Sequence, residues 1–170
     1  MSSAAKLSPM PSIAEVRQLP NLLQLTIPAQ WQDRNGHVNV QYYLRVFDLA
    51  ADPLMHLLGM DIEVAPADSV GYFDLQHHLW FLAEMHVGDS ISTHCRMLGC
   101  SAKRIHGLMF IVNHTRASLS ATIEFLTTGA NLRTRRSAAL PAGVVATIMH
   151  LAAQHSHLTW PAPRSGAIAV

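Results

Sequence analysis

Hydrophobic and polar positions change period along this chain, and the change marks out its elements. A short apolar run at residues 22–27 gives way to a polar loop, and then Tyr43, Val46, Phe47, Ala50, Leu54 and Leu57 recur at intervals of three or four. That spacing predicts one deeply buried helix over residues 40–58, with Asn39 as its N-cap and Gly59 at its end. Asp52-Pro53 interrupts the pattern, so the helix either kinks there or a second turn starts with Asp52 as cap and Pro53 in its first turn. From residue 71 the period becomes two, predicting strands over residues 71–81, 90–98, 103–115 and 119–127. In the first, Phe73, Leu75, His77, Leu79 and Phe81 share one face, and Tyr72, Asp74, Gln76, His78 and Trp80 the other. In the last, Ile123 and Phe125 turn inward, while Glu124 falls on the polar, exposed face. Pro141 opens a final helix, and no internal repeat is present. The order is that of an α+β domain: antiparallel strands curl around one apolar helix, and the sheet's polar face is left for solvent or another subunit.

At 170 residues the chain fits one domain, placed at residues 22–157. Residues 1–21, rich in Ser, Ala and Pro, and residues 158–170, which include Trp160-Pro161-Ala162-Pro163, are expected to be flexible. A formal net charge of +1 with 14% charged residues gives no field suited to nucleic acid or an anionic membrane. The 49% hydrophobic content contains no run of the roughly 18 residues a membrane helix requires, so it belongs to a core or a subunit interface. Cys95 and Cys100 should fall on opposite faces of one strand as reduced thiols, and without a secretory pattern the default location is the cytoplasm. The 11 histidines form no H-x-x-x-H pair and no cluster with cysteine, so no metal is expected.

Candidate chemistry concentrates in the loop before the helix: Asp33, Arg34, Asn35, Gly36, His37, Val38 and Asn39. A carboxylate here lies near the positive end of a helix, where free N–H groups can face a reacting carbonyl and where glycine permits a tight turn. Asp33 is the leading catalytic candidate, as base or nucleophile, with helix N-terminal amides as oxyanion donors. Gly36 and Val38 supply backbone geometry, His37 donates or braces the loop, and Asn39 caps the helix. Tyr43, one turn on, lines a substrate pocket or the core.

The run Trp31-Gln32-Asp33-Arg34-Asn35-Gly36-His37-Val38-Asn39, followed by Gln41-Tyr42-Tyr43-Leu44 and Asp48, resembles the hotdog-fold acyl-CoA thioesterases of the 4-hydroxybenzoyl-CoA thioesterase type. Leu75-Gln76-His77-His78-Leu79-Trp80-Phe81-Leu82, Lys103-Arg104-Ile105-His106 and Arg135-Arg136-Ser137 resemble a branch associated with betainyl-CoA and carnitine metabolism. The resemblance implies a long helix wrapped by a five-stranded antiparallel sheet, a homodimer joined edge to edge or a dimer of such dimers, and acyl-CoA bound at the subunit interface. It also implies that Asp33 attacks the thioester or activates water. The CoA thioester is then the substrate, and no cofactor is called for. His78 matches a histidine of that branch and is a second, weaker catalytic candidate; Lys103 and Arg104, in a hairpin turn, are candidates for the CoA phosphates. The chain departs from the branch at Gln76, Ser101 and Gly129, where an acid, Asp and His are expected. A quaternary ammonium acyl group would need an aromatic cage, for which Trp31, Tyr42, Tyr43, Tyr72 and Trp80 are available. A hotdog hydratase or dehydratase and a non-catalytic acyl-CoA-binding module are the alternatives.

Overall fold

The structure is a computed structural model and describes residues 9–60 and 70–170. The chain passes through α1 (Ile13–Val16), β1 (Asn21–Thr26), a 3-10 turn (Ala29–Trp31), α2 (Gln41–Leu57), β2 (Val70–Phe81), β3 (Ser90–Cys100), β4 (Arg104–Asn113), β5 (Ser118–Asn131), the short β6 (Arg136–Ser137) and α3 (Ala142–Ser156). The strands pair antiparallel in the order β1-β3-β4-β5-β2, with β6 beside β5. Against this sheet α2 buries Tyr43, Val46, Phe47, Ala50, Leu54 and Met55, in one core with Ile91, Cys95, Ile111 and Ile123. This is the hotdog arrangement expected above.

The helix forms where the apolar spacing places it, and its ends follow from local chemistry. Val40 already has helical dihedrals, and Asn39 Oδ1 accepts the Gln41 N–H at 3.1 Å, so Asn39 does the capping. The helix runs unbroken through Pro53, without restarting there. It stops where Gly59 adopts φ +81 and the Met60 N–H reaches the Met55 carbonyl at 2.8 Å. Leu57, expected in the core, is exposed, and Met55 takes the buried position.

Two irregularities change the faces predicted from strict alternation. In β2 the register slips between Asp74 and Gln76, so Tyr72 and Asp74 turn to the same cavity as His77, while Phe73 and Leu75 are exposed. In β3 a slip between Met97 and Gly99 brings Cys100 against the core that holds Cys95, correcting their expected placement on opposite faces; both thiols are free.

The outer face of the sheet is also covered, contrary to expectation. Leu108, Phe110 and Val112 of β4 point outward and are buried with Val16, Leu19 and Trp160, so β4 is apolar on both faces. Ser12 and Glu15 form a capping box that starts α1: the Glu15 N–H donates to Ser12 Oγ at 3.3 Å and the Ser12 N–H to Glu15 Oε2 at 2.7 Å. At the other end of the chain, Arg96 donates to the carbonyls of Trp160 (2.9 Å) and His155 (3.0 Å), with its guanidinium 4.1 Å from the Trp160 ring centre. Val16 and Leu19 near the first strand and Trp160 after the last helix thus pack on the outer face of the sheet. Glu124, expected to be exposed, is fully buried beneath the C-terminal tail.

Buried and half-buried imidazoles join these layers, and their hydrogen bonds fix their protonation. His94 Nδ1 donates to the Leu19 carbonyl (3.1 Å), which leaves Nε2 to accept from the Ser92 hydroxyl (2.9 Å). Ser92 Oγ then accepts from His114 Nε2 (2.8 Å), and His114 Nδ1 accepts from Arg17 (2.7 Å). His155 Nδ1 accepts the Met97 N–H at 2.9 Å, on the stretch of β3 that β1 does not pair. All three rings are needed neutral. Burial holds each below the ordinary 6.5, helped by Arg17 at His94 and His114 and by Arg96 at His155. A histidine whose folded value is depressed adds stability above its unfolded value, and that stability is lost as pH falls. The melting temperature is therefore expected to fall between pH 7 and pH 5, where ordinary carboxylates stay ionised, by roughly 2–4 °C for each kcal/mol lost. A flat melting profile across that interval would refute the neutral network.

Candidate active site

The polar loop folds back on itself before α2. Gln32 and Val38 form a bridge, the Asp33 N–H donates to the His37 carbonyl at 2.9 Å, and the Gly36 N–H returns to the Asp33 carbonyl at 3.2 Å. Gly36 has φ +88, and a Cβ there would make only an ordinary contact with Gln32 at 3.8 Å, so backbone conformation is what calls for glycine. The Asp33 carboxylate is fixed by the Asn35 N–H on Oδ1 (2.7 Å), with His37 Nδ1 a longer 3.4 Å from Oδ2. Its side chain is 16% exposed and borders a pocket of about 380 Å³. His37, Asn39, Val40, Tyr43, Phe81 and Glu84 line that pocket with it.

The amides around Asp33 are not equivalent. The Val38 N–H is held by the Met85 carbonyl (2.8 Å), the Asn39 N–H by Trp31 (2.9 Å) and the Gln41 N–H by the Asn39 side chain. Among the described residues the Val40 N–H has no protein partner, and it lies at the start of the helix beside the pocket. The Val38 N–H is therefore tied up in a backbone hydrogen bond, while the Val40 N–H is left open at a position the sequence did not single out. Tyr43 has both of the roles considered for it. Its hydroxyl donates to the Ala83 carbonyl and accepts the Met85 N–H, each at 3.2 Å, while its ring borders the pocket edge to face with Phe81.

The remaining candidates lie elsewhere in the protomer. His78 borders neither pocket and packs on Trp80, with ring centres 4.2 Å apart; its neighbour His77 lines the cavity beside α2. Lys103 and Arg104 occupy the β3–β4 turn at the far end of the sheet. Arg104 faces Thr128, seven residues along β5 from Ala121, which pairs with Phe81, or about 23 Å at strand spacing. Gln76, Ser101 and Gly129 also lie outside both pockets. Ser101 Oγ accepts the Arg104 N–H, a turn role an aspartate could share, and a Cβ at Gly129 would meet the Ala138 carbonyl at 2.7 Å. The departures thus concern turn and strand packing. Among the described residues, no three His, Cys, Asp or Glu side chains gather to hold a metal, and no helix is long and apolar enough to cross a membrane.

A second cavity, of about 490 Å³, opens between α2 and β2. Tyr72, Asp74 and His77 enter it because of the β2 bulge, which hid them from a reading by alternation. They join Trp31, Tyr42 and Asp48 there.

The hotdog half-barrel that carries this pocket places the chain in a class shared with known proteins: it belongs to the Thioesterase-like superfamily, whose sequence model matches residues 27–148. It is 32% identical over 132 residues to the betainyl-CoA thioesterase of Pseudomonas aeruginosa, covering 78% of this chain and 83% of that one. It is 26% identical over 153 residues to the L-carnitine dehydrogenase/betainyl-CoA thioesterase of a Rhizobium species, of which it spans 30% of the length. A putative thioesterase from Pseudomonas putida superposes with a TM-score of 0.73 at 26% identity, covering 89% of this chain and 96% of that one. A Staphylococcus aureus protein in complex with CoA shares the fold, with a TM-score of 0.76 at 22% identity over 89% of this chain and 95% of that one.

Proposed function

We propose that this protein is an acyl-CoA thioesterase that hydrolyses a small acyl thioester to the free acid and CoA. One observation carries the reading: the half-buried Asp33 carboxylate and the unpaired Val40 N–H border one pocket. Asp33 takes a proton from water as it attacks the thioester carbonyl, or attacks that carbonyl itself to give a mixed anhydride that water then cleaves. In either route the C–S bond breaks, the CoA thiolate leaves and is protonated, and Val40 N–H stabilises the oxyanion. The scheme needs no cofactor.

The site is completed by a second copy of the chain. β2 ends the strand order, and its 12 residues leave one edge unpaired among the described residues, beside exposed Phe73, Leu75 and Phe81. Long apolar edges of this kind are normally covered. Antiparallel pairing of β2 with its copy sets opposite sheet ends side by side, bringing the second copy's basic turn at Lys103 and Arg104 toward Asp33. In one protomer those residues are separated by most of the sheet, so CoA phosphates and thioester are read by different subunits. A thiol-release screen over short, branched, aromatic and cationic acyl-CoA esters is expected to show turnover by a dimer. Absence of release from every ester removes the activity, and a fully active monomer in sedimentation velocity removes the shared site.

A further inference from the structure

We infer that His37 is a second catalytic residue: its Nε2 takes the proton of the water that cleaves an acyl anhydride formed on Asp33. The inference rests on the thioesterase reading above and decides between its two routes, with Asp33 as the nucleophile.

The need for a second group follows from the first step. When an Asp33 oxygen attacks the thioester carbonyl, a C–O bond forms, the C–S bond breaks with its electron pair on sulfur, and the CoA thiolate leaves to take a proton from solvent. Asp33 is then part of an anhydride and no longer a base. Water that attacks the acyl carbon must give its proton to another group, while the breaking anhydride C–O bond returns its electron pair to the Asp33 carboxylate. The proton then passes to solvent, and the acid departs.

The pocket lining leaves few candidates. The Tyr43 hydroxyl is already committed to the Ala83 carbonyl and the Met85 N–H. Asn39 is no base, and its side-chain oxygen holds the Gln41 N–H. Glu84 has a side chain 67% exposed, with Oε2 3.6 Å from His86 Nε2, so it stands at the solvent rim. The rest of the lining, His37 apart, is apolar.

His37 is placed for the task. The bridge between Gln32 and Val38 folds the loop so that its ring returns beside Asp33, with Nδ1 3.4 Å from the Val38 carbonyl and 3.4 Å from Asp33 Oδ2. Both neighbours are acceptors, so in the neutral ring Nδ1 carries the hydrogen and Nε2 keeps its lone pair. Among the described residues Nε2 has no protein partner, and the ring, on a side chain 31% exposed, borders the Asp33 pocket. The Asn35 N–H holds Oδ1 at 2.7 Å, which leaves Oδ2 the freer oxygen for attack. The anhydride therefore forms on the side that faces His37. A pocket of about 380 Å³ holds an acyl group and a water, whose share of liquid volume is about 30 Å³.

The test is a rapid-mixing experiment on His37→Asn, with the ester that the wild-type protein turns over fastest in the thiol-release screen. Asparagine keeps an N–H donor for the Val38 carbonyl and has nothing in place of Nε2. The variant is expected to release about one thiol per site at close to the wild-type rate and then to turn over more slowly by about 10²-fold or more. Intact-mass spectrometry should find the acyl adduct, and adding Asp33→Asn should abolish both burst and adduct. The burst itself reports a folded loop, and His37→Gln repeats the measurement if asparagine unfolds it. Steady turnover equal to wild type overturns the inference. So does slow turnover without a burst in a variant that melts as the wild type does, which would make Asp33 the base for direct attack by water. A wild-type protein that releases no thiol from any ester defeats the thioesterase reading itself.

Discussion

Asp33→Asn is expected to fold as the wild type does and to hydrolyse acyl-CoA more slowly by about 10²–10⁴ in kcat, with KM little changed. Asparagine keeps the size of the side chain and a carbonyl oxygen for the Asn35 N–H, so the loop that turns at Gly36 and the bridge between Gln32 and Val38 survive. What is lost is the ability to take a proton from water or to attack a carbonyl. An interaction used only in the transition state lowers kcat and kcat/KM together, about 1.4 kcal/mol for each tenfold. Single-turnover thiol release, with circular dichroism and melting curves as folding controls, measures the effect. Wild-type turnover by a folded Asp33→Asn protein would sink the mechanism. It would shift attention to Glu84, the other carboxylate bordering that pocket.

The helix, its cap and the loop before it were legible because each rests on local chemistry. Apolar spacing sets the buried stripe of α2, Asn39 finds its cap geometry within two residues, and Gly36 answers to its own φ. The cavity was not legible, because it depends on one extra residue in β2. Alternation placed Asp74 and His77 on opposite faces, and the bulge that unites them leaves no signature in a single strand's pattern. The free Val40 amide was hidden for a related reason: helix starts offer several N–H groups, and only tertiary partners such as Met85 and Trp31 decide which remain open. Burial of the outer face did leave a signal. Leu108, Met109, Phe110, Ile111 and Val112 run without a polar break, as a strand covered on both sides requires. The cover comes from segments whose Pro-rich composition suggested loose ends, yet which carry Val16, Leu19 and Trp160.

Removing the anchor of that cover should cost the most stability: Glu124→Ala is expected to destabilise the fold by about 3–5 kcal/mol, on the order of 10 °C in melting temperature. Glu124 is fully buried, and each of its oxygens has a donor. Oε1 accepts from His106 Nε2 at 2.8 Å, and Oε2 accepts the Ser165 N–H at 2.6 Å. Burial alone would push this carboxyl up, but Ser165 and His106 together hold it below its ordinary 4.5. A carboxylate depressed in the folded state contributes stability above its unfolded value and loses it as pH falls through the folded one. Its contribution is therefore complete at neutral pH and fades only in acid, below the interval in which the histidines titrate. Alanine leaves a nearly buried imidazole and a backbone N–H without partners and frees the tail near Ser165. Glu124→Gln keeps an acceptor and removes the charge, so it should cost less than alanine. Urea unfolding at neutral pH ranks the three proteins, and proteolysis of the C-terminal tail reports where the structure opens first. If alanine and glutamine lose the same small amount, within about 1 kcal/mol of wild type, the buried pair does not anchor the tail and the outer apolar cluster alone holds it.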